Sequence, residues 1–215
     1  MSIKIIACEV MKEELLSVKP ETPTEYSFVS MELHTRPEKL HKELLTIVDD
    51  SKGYERIILG FGLCGGAAGG IKAKHCILTI PRIHDCISLF LGSRELFEQL
   101  QQSRGTFYLS SGWLESGKSI ISEYDRVCGK YGEVKARRVL NAMYDSYRSI
   151  LFINTGHPRE KRCLDASLEV SKLLGLSHSL RHGDTGFINR LVNGPWNTEE
   201  FINIPVEEVI KEEMF

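Results

Sequence analysis

Short apolar runs of strand character alternate with helical segments along almost the whole chain, and this alternation limits the fold more than any other feature. Residues 3–7 form a β-rich run that ends at Cys8 and Glu9. After a loop marked by Pro20 and Pro23, residues 26–33 alternate as a second strand. Pro37 opens a helix that reaches about Asp50, with Leu40, Leu44, Leu45 and Val48 on one face. Buried strands follow at 56–60 and 76–80, the second stopped by Pro81. Helices then run from Asp85 or Cys86 to Leu91 and over 94–102.

The second half repeats the scheme less regularly. Strands are expected at 106–109, 149–153 and 201–205. Helices are expected over 124–147 (interrupted near Gly129 and Gly132), over 160–174 (closed by Gly175) and over 187–192. Strands separated by helices pair in parallel through right-handed crossovers. The expected class is therefore α/β: mostly parallel sheet flanked by helices, Rossmann-like. It forms either one unit over 1–215 or two similar lobes, 1–104 and 105–215.

Composition sets the class of partner. Charged residues make up 26% of the chain and the formal net charge is −2, with both signs scattered. A nucleic-acid binder would carry a basic stripe, and none is seen. No apolar run approaches the roughly 20 residues that span a bilayer. The first residues are too short an apolar stretch for a signal peptide, so a cytoplasmic location is expected. Six cysteines without a C-x-x-C pair, in a chain able to build its own core, read as thiols rather than disulfides.

In parallel sheets ligands bind beyond the carboxyl ends of the strands, and here the reactive residues follow strands: Cys8, Cys64, the Arg82–His84–Cys86 group, Trp113 and His157. The stretch GFGLCGGAAGG at 60–70 has six glycines in eleven residues. Gly62, Gly65 and Gly66 would let backbone N–H groups approach a ligand or a sulfur atom. The plainer reading is a tight turn around a buried thiol. In PRIHDC, residues 81–86, Arg82 offers a guanidinium for an oxyanion, His84 a proton carrier and Asp85 a carboxylate or a helix cap. Cys86 at a helix start should have a lowered pKa. Ser110, Ser111 and Trp113 end a strand as ligand-contact candidates, or as a turn with a core plug.

Cys8, Cys64 and Cys86 each follow a different strand. Three separate thiolates suit a metal centre with one open position, either an iron–sulfur cluster or a zinc. Buried thiols acting as small hydrophobes are the ordinary alternative. Cys76 reads as core, and Cys128 and Cys163 as helical cysteines without partners. His34, His41, His75 and His178 read as surface or internally satisfied histidines, and His182 as part of a polar turn.

The blocks ACE (7–9), GFGLCGG (60–66), PRIHDC (81–86), LGS (91–93), GTFYLSSGW (105–113) and KYGE (130–133) resemble, in order, the signature of a bacterial and archaeal domain-of-unknown-function family. Its members are often encoded beside corrinoid-dependent methyltransferase systems. The resemblance implies that Cys8, Cys64 and Cys86 belong to the family pattern, with Arg82, His84, Asp85 and Trp113. It also implies a setting in methyl or one-carbon metabolism. The leading expectation is thus a metal–thiolate protein acting on a small molecule or supporting a corrinoid protein or methyltransferase, as a monomer or homo-oligomer. The rivals are a metal-free enzyme using Cys64 or Cys86 as nucleophile with His84 as base, and a non-enzymatic accessory module.

Overall fold

The computed structural model describes residues 2–103, 105–116 and 120–215. Its first unit runs β1 (Ile3–Cys8), α1 (Lys12–Ser17), β2 (Thr24–Val29), α2 (Pro37–Asp50), β3 (Arg56–Gly60), β4 (Ile77–Pro81), α3 (Ile87–Leu91) and α4 (Arg94–Gln101). The second runs β5 (Thr106–Ser110), α5 (Ser111–Glu115), α6 (Ile120–Tyr131), α7 (Glu133–Met143), β6 (Ser149–Asn154), α8 (Glu160–Leu174) and β7 (Ser177–His182). The chain then returns to the first unit with α9 (Gly186–Asn193) and β8 (Phe201–Ile204).

Two sheets result. The larger has the order β2-β1-β3-β4-β8, parallel except for β8, which pairs antiparallel with β4. The smaller is parallel, in the order β5-β6-β7. Central strands are mostly apolar because both faces are covered, with Lys4 in β1 and Asn154 in β6 as buried polar exceptions. Accordingly every residue of β1 is buried, and five of the six residues of β6 are buried, only Ser149 being half-exposed. The architecture is Rossmann-like α/β. No helix among the described residues is long and apolar enough to cross a membrane.

The return of α9 and β8 narrows the second lobe from the expected 105–215. Phe187, Ile188, Leu191 and Val192 pack into the core of the larger sheet, as do Phe201, Ile202 and Ile204. The second strand also ends earlier than expected. The Glu9 carboxylate accepts the Met31 N–H at 2.8 Å and the Ser30 hydroxyl at 3.1 Å, drawing the chain into a 3-10 turn, Met31–Thr35.

The rims of the two sheets face each other. Gly112, at the start of α5, lies against the backbone of Val10 beyond β1, and Gly183 beyond β7 lies against the Phe90 carbonyl in α3. The Thr155 hydroxyl beyond β6 donates to Glu14 of α1 at 2.7 Å. Each of these contacts lies past the carboxyl end of a parallel strand. The seam therefore joins the two edges where such sheets place ligands.

Candidate functional site

β1 delivers Cys8 to the seam as its last residue, 1% exposed. Cys64 sits in the glycine loop beyond β3 at φ +47°, a left-handed conformation unusual for a non-glycine residue. The loop is pinned to the segment after β4: Leu63 N–H donates to the Ile83 carbonyl at 3.1 Å and Cys64 N–H to the His84 carbonyl at 3.2 Å. Cys86 follows β4 and precedes α3, with 6% exposure. The three thiols are near enough to bear on one another's ionisation. Cys64 feels the charge of Cys8, and Cys86 that of both Cys64 and Cys8.

Burial dominates their acidity. It pushes Cys8 and Cys64 up to about 12, and Cys86 well above the ordinary thiol range, with the neighbouring Asp85 carboxylate adding to the rise at Cys64 and Cys86. The expected lowering of the Cys86 pKa is therefore overturned. Desolvation and an adjacent negative charge outweigh the start of a five-residue helix.

His34 completes the group and was not anticipated. The 3-10 turn that Glu9 anchors carries it to the rim, where Nδ1 lies 3.9 Å from Cys8 Sγ and the ring stacks on Phe61 at 6.0 Å. Burial lowers its pKa, opposed by a hydrogen bond with the Met31 backbone and by the charge of Asp85. The signal was present: His34 follows β2 at the same rim as the three cysteines.

The other proposed residues divide. Asp85 caps the chain entering α3, its Oδ1 accepting the Ile87 N–H at 2.9 Å. Arg82, expected to meet an oxyanion, instead donates to the Met214 carbonyl and, at 3.2 Å, to the Thr198 carbonyl. The exposed His84 ring lies beside Phe215, 6.3 Å between centroids. Both side chains thus engage the C-terminal segment, and only the His84 backbone reaches the thiol group. At Gly62 an added Cβ would stand 2.7 Å from the His84 carbonyl carbon, so glycine is needed there for close backbone approach. Gly65 and Gly66 turn the loop at φ +66° and +88°.

Ser110, the last residue of β5, and Ser111, the first of α5, are fully buried. The Ser110 hydroxyl and the Trp113 indole N–H have no hydrogen-bond partner among the described residues, and the Tyr108 hydroxyl is likewise unpartnered. The Ser111 hydroxyl faces Cys163 without regular hydrogen-bond geometry. Orphaned polar atoms concentrated along one seam point to polar groups that meet them there.

Cys163, set aside in the sequence, has neighbours in space. Its sulfur, a Glu115 oxygen and a His157 ring nitrogen lie within 4.8 Å of one another. This resembles a cation site, but its wiring argues otherwise. His157 Nδ1 accepts the Arg159 N–H at 3.1 Å, which leaves the proton of the neutral ring on Nε2, 3.5 Å from Glu115. Glu115 is already paired with Arg159. His157 Nε2 itself makes no hydrogen bond among the described residues, and with Nδ1 already accepting the Arg159 N–H the ring offers its proton, not a lone pair, toward Glu115.

Comparison with known proteins adds one finding. A family model described as a protein of unknown function, DUF1638, matches residues 28–192. The chain belongs to the DUF1638 family. Cys64, Cys86, His34 and the β5 rim lie within the matched residues, while Cys8 precedes them. No curated protein and no solved structure matches this DUF1638 chain.

Proposed function

We propose that the chain is a metal–thiolate protein in which Cys8, Cys64 and Cys86 hold an iron–sulfur cluster with one open iron, or a zinc. The centre would act in, or support, methyl or one-carbon chemistry linked to corrinoid methyltransferases. The observation that carries the reading is the meeting of three thiols from three strand ends at one rim, each pair electrostatically coupled. The one-carbon setting rests on the family resemblance.

The donor set fits, since thiolates are the ligands of both centres. A single zinc would need the three sulfurs to draw closer together. Two thiolates on one tetrahedral zinc sit about 3.8 Å apart, whereas these three sulfurs do not all fall within 4.8 Å of one another. A multi-iron cluster holds its cysteines further apart than a single ion does. A bound centre would also supply the positive charge that lets buried thiols ionise, and it would bring Lewis-acid or one-electron chemistry at its open position. His34, beside Cys8, would hold or pass a proton there.

The metal-free nucleophile is the weaker alternative. A thiol pushed up to about 12 is ionised to roughly one part in ten thousand at pH 8. The proposed base, His84, has its side chain beside Phe215.

Anaerobic purification from iron-supplemented cells, with a visible spectrum and metal and sulfide analysis, tests the proposal. Near-stoichiometric iron and sulfide, or zinc, that is lost in Cys64→Ala is expected. A colourless, metal-free protein in which one of the three thiols alkylates rapidly would overturn it in favour of the nucleophile.

A further inference from the structure

A cavity of about 700 Å³ opens between the two units, within the range of small-molecule sites. Its wall combines the Met31–Thr35 turn of the larger unit with residues of α5, α6 and α7 from the smaller one. Most of the surface is apolar: Met31 and Leu33 on one side, Trp113, Ile120 and Tyr144 on the other. Charge is distributed unevenly over it. Arg126 is paired with Glu123 at 2.8 Å and 2.5 Å. Arg36 and Lys39, exposed on the wall, have no ion pair among the described residues. His34 also lines the cavity, and the same ring reaches Cys8 Sγ at 3.9 Å.

We infer that this cavity binds a small organic anion with an apolar body, such as a carboxylate or phosphate on an aliphatic or aromatic frame. The anionic group lies at Arg36 and Lys39, the body lies against Trp113, Met31 and Ile120, and His34 is the contact toward the thiols. Two cations without an ion pair among the described residues, beside an apolar wall, distinguish this ligand class from both a bare ion and a neutral hydrocarbon. A bare ion would leave the wall unused, and a hydrocarbon would leave the cations unused. That the ligand is the substrate of the thiol centre rests on the metal–thiolate reading; that the cavity binds it does not.

Two fluorescent probes of similar shape separate the contributions: 8-anilinonaphthalene-1-sulfonate, an anion, and N-phenyl-1-naphthylamine, which is neutral. The anionic probe should bind the wild-type protein at one site per chain. The Arg36→Gln/Lys39→Gln protein should bind it about fivefold more weakly at low salt, with the neutral probe unchanged. Trp113 and Trp196 are the two tryptophans of the chain, so in Trp196→Phe, excitation of Trp113 should transfer to the bound probe. Should Trp196→Phe fail to fold, the two-probe comparison in the wild-type background still decides. Equal affinity of the double variant for the anionic probe, or bound probe that receives no transfer from Trp113, would overturn the inference. Repeating the titration on Cys64→Ala keeps the two proposals apart. Metal lost with probe binding retained supports the cavity on its own, and probe binding lost in a metal-loaded wild-type protein removes the cavity alone.

Discussion

Cys64 holds its sulfur at a backbone position that suits glycine better than any residue with a Cβ. A φ of +47° costs a non-glycine residue about 1 kcal/mol or more, in a loop where the flanking glycines meet no such penalty. Strain of this kind persists where the side chain is needed, so the structural and chemical roles of the position can be separated by substitution. Cys64→Gly should be more stable to urea than Cys64→Ala by about 1 kcal/mol, and on the metal–thiolate proposal both should lack the metal. If the glycine variant proved the less stable, the sulfur would be contributing packing that the strain argument omits. The position of most candidate residues was legible in the sequence because each follows a strand. Their chemistry was less so. The rise at Cys86 comes first from burial, then from the adjacent Asp85 carboxylate, with Cys64 and Cys8 adding to it, and helix-start reasoning at Cys86 weighed neither the burial nor the neighbouring charges. The contacts of Arg82 and His84 were not legible either, since the C-terminal segment they meet lies some 130 residues further on.

Elements with both a pattern and a stop signal were the ones the sequence resolved. α2 begins at its proline and buries Leu40, Leu44 and Val48, and α8 ends at Gly175 in a left-handed cap. β7 was missed because it is an edge strand with a mostly exposed, polar face that carries no apolar alternation. α5 was missed because its reason lies across the seam. Gly112 lets α5 approach the turn after β1 so closely that an added Cβ would stand 1.9 Å from the Val10 carbonyl oxygen. That neighbour is backbone, so it cannot swing away. Gly112→Ala should therefore cost about 3 kcal/mol, read as a lowered urea midpoint with an unchanged slope. A loss below about 0.5 kcal/mol would mean that α5 moves freely against the larger unit and that the seam is not a fixed contact. Gly129, inside α6 with open space around it, is the matched control: alanine there should be neutral or stabilising.

At the scale of the molecule, the two units meet rim to rim, and one of their links carries a buried carboxyl group. Glu14 of α1 is 4% exposed; Oε1 accepts the Thr155 hydroxyl from the smaller unit, and Oε2 has no partner among the described residues. Burial raises its pKa above the ordinary carboxylate value and Glu13 raises it further, against the lowering effects of Thr155, a backbone hydrogen bond and His157. A carboxyl group whose pKa is higher folded than unfolded favours the folded state when protonated. Its contribution is complete below the unfolded value of about 4.5 and is lost as pH rises through the raised folded value. Near neutral pH the wild-type protein thus keeps a buried charge, or spends free energy protonating it, at the joint between its units. Glu14→Gln retains the acceptor for Thr155 and removes the charge. It should melt above wild type at pH 8, by about 2–4 °C per kcal/mol gained, with the advantage shrinking toward pH 4, where wild-type Glu14 is itself neutral. Calorimetric melts across that range decide the sign. A glutamine variant that melts below wild type at pH 8 would mean that a positive group stabilises the carboxylate in the seam, and the link would then be an ion pair instead of a neutral hydrogen bond.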